Sequence, residues 1–187
     1  MLANSELLFR PNVRIYGPID DRAVLDALDQ INAVLDGEQD LVIELNTRGG
    51  DADAARRIAL EIKLFRERSG RNAYCVGKTV VYSAGVTILA AVSKRFRFLA
   101  RDAVLLIHER RLEDSIALNG PIKACIQIVR EQLSMLETAE KLELQGFAEF
   151  AEGSKLSAED LYRRATESCY LFSEEAVELG LVAGILE

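Results

Sequence analysis

Two side chains in this sequence can share one proton-transfer chemistry: Ser83, followed by Ala84 and Gly85, and His108, the only histidine. A serine hydroxyl becomes a nucleophile when a base takes its proton, and histidine is the common base. Ser83 follows Val80-Val-Tyr82 and precedes small residues that open a helix. There the next N–H can face an oxyanion and a substrate can approach closely. His108 closes the apolar run Ala103-Val-Leu-Leu-Ile107. A third element, Asn46-Thr-Arg-Gly-Gly50, follows a buried strand. Gly49 and Gly50 can adopt backbone angles closed to other residues and aim N–H groups at a developing negative charge. No other trio in the chain converges on one chemistry.

Each element also has a plainer reading. Ser83 suits a helix N-cap, and the Gly-x-Ser-x-Gly elbow is incomplete because Val81 holds the first glycine position. Gly49-Gly50 suits a tight strand-to-helix turn, and His108 a structural histidine at a strand end. Lys78 and Lys94 flank the serine helix, so a Ser–Lys dyad is a further option.

The elements that must position these groups alternate. Val13–Tyr16 reads as a strand, followed by a helix from about Arg22 to Leu35 with Val24, Leu25, Leu28, Ile31 and Leu35 on one stripe and Asp20 or Asp21 as cap. Leu41–Leu45 is a strand. A helix from about Ala52 to Arg68 buries Ala55, Ile58, Ala59, Ile62 and Phe65, carries Asp51 and Asp53 at its positive end, and stops at Gly70. Ala73–Val76 is a third strand, Gly77–Tyr82 a connection, and Ala84 to about Val92 a short helix. Phe96–Leu99 and Ala103–Ile107 are further strands. The alternation predicts an α/β fold of parallel βαβ units with right-handed crossovers.

From Pro121 to about Ala151 runs a helical pattern through Ile122, Cys125, Ile126, Val129, Leu133, Leu136 and Leu142. One helix of that length spans roughly 45 Å and reaches beyond the core; two shorter helices broken near Gly146 are the alternative. Ser157–Asp160 is a capping-box start, Ser173–Ala176 opens another short helix stopped by Gly180, and Leu181–Leu186 is a terminal strand or tail.

The 187 residues suffice for one domain, 1–187, with a full core. A net charge of −7 argues against a nucleic-acid partner and weakly against an anionic membrane. No apolar run approaches the ~20 residues of a spanning helix, and the N-terminus lacks a signal-peptide pattern, so a cytoplasmic protein is expected. Three cysteines without CxxC spacing are expected to be buried, reduced thiols.

Four ordered motifs then resemble the Clp protease proteolytic subunit (ClpP) family, serine peptidases of the ClpP/crotonase-like fold. The family's Asn-Ser-Pro-Gly-Gly is similar to Asn46-Thr-Arg-Gly-Gly50, its Ala-Ser-Met-Gly to Tyr82-Ser-Ala-Gly85, and its Met-Ile-His-Gln to Leu106-Ile-His-Glu109, at the same distance from the serine. Its closing Ser-Ala-Glu-Glu-Ala-Val-Glu-Tyr-Gly-Leu resembles Phe172-Ser-Glu-Glu-Ala-Val-Glu-Leu-Gly-Leu181. The resemblance covers about Val13 to the C-terminus. It implies Ser83 as nucleophile, His108 as general base, and Gly50 and Ala84 as oxyanion N–H donors, with Gly49 shaping the turn. It also implies peptide hydrolysis through an acyl-enzyme, a peptide or unfolded-protein substrate, a homo-oligomer, and no metal or cofactor.

Three departures qualify what the resemblance implies. Ungapped counting back from Glu174-Glu-Ala176 puts Ser168 where the family carries its triad aspartate, with Glu167 one residue out of register. Three consequences stay open. Ser168 orients His108 by a neutral hydrogen bond; another carboxylate does so, with Glu113 and Asp114 as looser candidates and Glu109 facing away if the strand continues; or the enzyme is slow or inactive. About a dozen residues precede the first strand, fewer than in ring-forming members, which argues against a Clp ATPase partner. The region between His108 and Ser168 is longer than the family's by about one helical segment. In the family this is the handle helix that joins two rings, so a changed handle implies a changed assembly.

The leading expectation is therefore a ClpP-like serine peptidase. The alternatives are a catalytically weak or inactive scaffold subunit and a crotonase-type acyl-CoA enzyme on the same fold.

Overall fold

The computed structural model describes residues 5–113 and 115–187. Its elements run α1 (Ser5–Leu8), β1 (Val13–Tyr16), α2 (Asp21–Leu35), β2 (Leu41–Thr47), α3 (Ala52–Ser69), β3 (Ala73–Tyr82), α4 (Ala84–Ala90), β4 (Arg97–Ala100) and β5 (Val104–Ile107). They continue with α5 (Ile122–Ala151), α6 (Ala158–Ala165), β6 (Cys169–Phe172), α7 (Ser173–Glu178) and β7 (Gly184–Leu186). The fold is α/β, the architecture expected of the ClpP fold. β1, β2, β3, β4 and β7 form a parallel sheet in that order, while β5 pairs with β3 in parallel and with β6 in antiparallel fashion. β2 is buried along nearly its whole length, as a parallel strand covered on both faces must be, and its run Leu41-Val-Ile43 is accordingly apolar.

The helix caps follow the local chemistry. Asp51 accepts the N–H groups of Asp53 and Ala54 at the start of α3, and Gly70 ends it at φ 68°. Ser157 and Asp160 form a reciprocal capping box on α6.

Four sequence expectations are corrected. Gly77–Tyr82 is strand rather than connection: β3 continues through it, leaving β4 after Gly77 and taking up β5 from Val80. Thr79 at φ 56° and a register shift against β2 mark the bulge that permits the change. On helix α2 the expected stripe holds at Ile31, Val24 and Leu35, which pack on the core, but Leu25 is exposed and Ala27 and Val34 are buried in addition. All three cysteines are free, but only Cys75 is buried; Cys125 and Cys169 sit half-exposed on α5 and at the start of the edge strand β6. Burial pushes the Cys75 thiol up to about 12, against the pull of the nearby Arg97 charge. Finally, β5 ends at Ile107, so His108 and Glu109 lie in the irregular segment after it and strand alternation does not govern Glu109.

Arg97, only 2 % exposed, ties the helix ends together. Its guanidinium donates to the carbonyls of Ala90 at the end of α4 and Val92 just beyond it, of Glu149 and Phe150 at the end of α5, and of Leu181. Burial lowers its pKa to about 10, and the charges of Cys75, Glu152 and Glu149 oppose that shift.

Helix α5 runs unbroken through Gly146. Only Phe147, Phe150 and Ala151 are buried in it, while Ile122, Ile126, Val129, Leu133 and Leu136 are exposed along one stripe. Their alternating steps of four and three residues make a heptad-type seam. Among the described residues, no helix is long and apolar enough to cross a membrane.

Candidate functional site

Parallel pairing brings the candidate residues to one end of the sheet. In the β3–β5 register Tyr82 lies beside Leu106, and the Ser83 N–H donates to the Leu106 carbonyl at 2.8 Å. Ser83 and His108 therefore leave neighbouring strands on the same side, and both line one cavity of about 460 Å³. Its other walls come from α3, from Arg110, and from the last third of α5, including Glu143 and Phe147.

Ser83 stands at φ 54°, ψ −117°, and its hydroxyl makes no capping hydrogen bond to α4. An N-cap serine has extended backbone and accepts from the first turn; Ser83 does neither. This sharp turn between β3 and α4 presents the side chain to the cavity instead. Neither lysine considered as an alternative base serves it. Lys78 pairs with Glu44, and Lys94 donates to the Gly153 carbonyl.

The Gly49-Gly50 turn lies against the serine. A Cβ on Gly49, at φ 98°, would come within 2.8 Å of the Ser83 Cβ and 3.4 Å of the Ala84 nitrogen. Buried Thr47 shapes the turn: its Oγ1 accepts the Gly49 N–H at 2.9 Å and donates to the Gly17 carbonyl at 2.6 Å. On the far side Gly50 bridges to Ile19; the Ile19 N–H donates to Gly49 O, and the Asp51 N–H to Ile19 O. These contacts engage the Gly49 N–H and leave those of Gly50 and Ala84 without an acceptor among the described residues.

A Cβ on Gly50, at φ 150°, would meet Ile19 O at 2.3 Å. Gly50→Ala is therefore expected to break the Ile19 bridge and cost about 2 kcal/mol. Urea unfolding of the variant beside wild type reads this; equal midpoints would mean the turn yields freely.

His108 is half-buried. Its Nδ1 lies 2.6 Å from the Glu109 carbonyl oxygen. A carbonyl only accepts, so in the neutral ring Nδ1 carries the proton and Nε2 keeps its lone pair. No hydrogen bond joins His108 to Ser83 among the described residues. The β5–β6 pairing ends at Ile107–Cys169, so His108 and Ser168 are the residues that adjoin its last pair. Ser168 has φ 61° and no hydrogen bond from its hydroxyl to His108. Glu113 and Glu167 are exposed, and Asp114 lies outside the described residues.

Two residues not foreseen from the sequence join the site. Glu143 on α5 accepts the backbone N–H of Arg110. Desolvation, chiefly, raises its pKa, and the charges of Glu109 and Glu140 add to that; the Arg110 N–H and guanidinium oppose it. The Arg110 side chain itself turns to Asp53 on α3, at 3.4 Å. The other charges on the wall are also paired, Lys63 with Glu149 and Arg57 with Glu61, each at 2.8 Å. Among the described residues no group of three His, Cys, Asp or Glu side chains could hold a metal ion.

The family model for the Clp protease matches residues 3–187. The chain is also similar to the ATP-dependent Clp protease proteolytic subunit 2 of Pseudomonas aeruginosa, 25 % identical over 175 residues, which are 93 % of this chain and 80 % of the relative.

Proposed function

The chain belongs to the Clp protease family, and on that premise we propose that it hydrolyses peptide bonds through an acyl-enzyme on Ser83. His108 Nε2 takes the Ser83 Oγ proton as Oγ bonds to the scissile carbonyl carbon. The N–H groups of Gly50 and Ala84 receive the oxyanion. The imidazolium then gives its proton to the departing amine, and a water activated by the same histidine releases the acyl group. The observation that carries this reading is the shared cavity of Ser83 and His108 beside a glycine turn with a free N–H.

Ser168, next to the last pair of the β5–β6 ladder, supplies a neutral group near His108, while the Glu109 carbonyl holds the imidazole tautomer. Both are uncharged and stabilise imidazolium less than a carboxylate does, so turnover is slow. The proton transfer needs Ser83 and His108 to close to hydrogen-bond distance when substrate binds, as resting sites often require. The long α5 seam supports a homo-oligomer, and its substrate is an extended peptide or unfolded chain in the cytoplasm. The whole of 1–187 acts as one unit.

A second reading, a scaffold subunit of weak or no activity, draws on the missing Ser83–His108 hydrogen bond. Intact mass after treatment with a fluorophosphonate separates the two. A single adduct on wild type, absent from Ser83→Ala, is the expected result. A folded wild type that takes no adduct overturns the peptidase reading in favour of the scaffold.

A further inference from the structure

The oxygen that holds His108 and the N–H that binds Glu143 belong to one peptide group. His108 Nδ1 meets Glu109 O at 2.6 Å, and the nitrogen of that same peptide, Arg110 N, donates to Glu143 Oε1. No cis peptide occurs among the described residues, so the carbonyl and the N–H of this unit point in opposite directions. The imidazole lies at one end of the peptide dipole and the carboxylate at the other.

We propose that Glu143 is the positioning residue for His108, acting through the Glu109–Arg110 peptide in place of a directly bonded carboxylate. This rests on the reading of His108 as general base. A carboxylate on an amide N–H polarises the amide and enriches its carbonyl oxygen in negative charge. That oxygen becomes a stronger acceptor for Nδ1–H and a better neighbour for imidazolium. The helix supplying the charge also lines the cavity, with Glu143, Arg110, His108 and Ser83 all on its wall. Because the Arg110 guanidinium turns to Asp53, the carboxylate's bond is to the backbone.

The groups facing Glu143 are Glu109 and Arg110 from the segment after β5, Glu140 from its own helix and Tyr162 from α6. Asp53, Arg56, Arg57 and Lys63 of α3 and Glu149 of α5 complete the charged wall. Of the acids among them, Glu143 alone bonds to the peptide that holds His108.

Glu143→Gln is the test, because the amide oxygen still accepts the Arg110 N–H while the charge is gone. With fluorophosphonate as probe, Ser83 labelling is expected to slow about ten-fold, and its acid limb to move about half a unit to lower pH. Histidine nitrogen NMR, unambiguous with one histidine, is expected to show neutral His108 protonated at Nδ1 in wild type and drifting toward Nε2–H in the variant. Glu140→Gln removes a neighbouring charge without touching the peptide and is expected to leave the tautomer unchanged. A Glu143→Gln protein with wild-type rate, profile and tautomer would overturn the relay, as would an equal tautomer drift in Glu140→Gln. If wild type shows no Ser83-dependent labelling, the peptidase reading fails, and the NMR comparison still decides the relay alone.

Discussion

Ser83→Gly is expected to abolish peptidase activity and, at the same time, to make the protein more stable. The activity loss follows from removal of the proposed nucleophile and should exceed about a thousand-fold. The stability gain follows from the backbone. At φ 54°, ψ −117° an L-residue carries about 1–3 kcal/mol of strain, which glycine does not, although its freer unfolded chain takes back about 0.5–1 kcal/mol. A net gain of about 1 kcal/mol raises the melting temperature by roughly 2–4 °C in a chain this size. Ser83→Ala loses the same activity but keeps the strain, so its melting point should lie below that of the glycine variant. Thermal unfolding of both variants at one protein concentration checks this. An alanine variant as stable as the glycine variant would mean that the turn carries no strain worth relieving.

Arg97→Leu is expected to destabilise the protein by about 3–5 kcal/mol. Leucine fills much of the volume but strands five carbonyls that Arg97 now satisfies. Two of these lie at or just beyond the end of α4 and two belong to the end of α5. The loss therefore loosens both the helix that begins after Ser83 and the helix that carries Glu143. Denaturant midpoints measure the first effect and fluorophosphonate labelling in mild urea the second. Arg97→Lys, with three donors instead of five, should fall between. A leucine variant within 1 kcal/mol of wild type would show that water takes over those carbonyls.

The parallel sheet was legible because each buried strand is a short apolar run next to a glycine or a capped helix, as in Leu41–Leu45 before Gly49. The relative placement of Ser83, His108 and the glycine pair was legible for the same reason: each follows the C-terminal end of a parallel strand. What escaped had no local signal. The second half of β3 holds Lys78 and Thr79, which break the apolar pattern because the strand changes partners there. β6 buries only Leu171 of its four residues and exists because β5 offers an edge. Glu143 looks like any solvent-facing glutamate in the α5 pattern. Its bond to Arg110 depends on how that helix folds back across the segment after His108, and spacing along the chain does not encode such a return.

The anchoring of α5 has a mechanical consequence. The helix is held at Phe147, Phe150 and Ala151 and by the Arg97 bonds, and its first twenty or so residues project from that clamp. Measured from Phe150, Glu143 lies about 10 Å out and Ile122 about 42 Å out. The helix is thus a lever with an arm ratio near four, and a swing of about 4 Å at its tip displaces Glu143 by about 1 Å. A displacement of that size breaks the bond to Arg110 N. Whatever seats itself on the apolar seam at the far end holds the lever, and with it the peptide against which His108 rests.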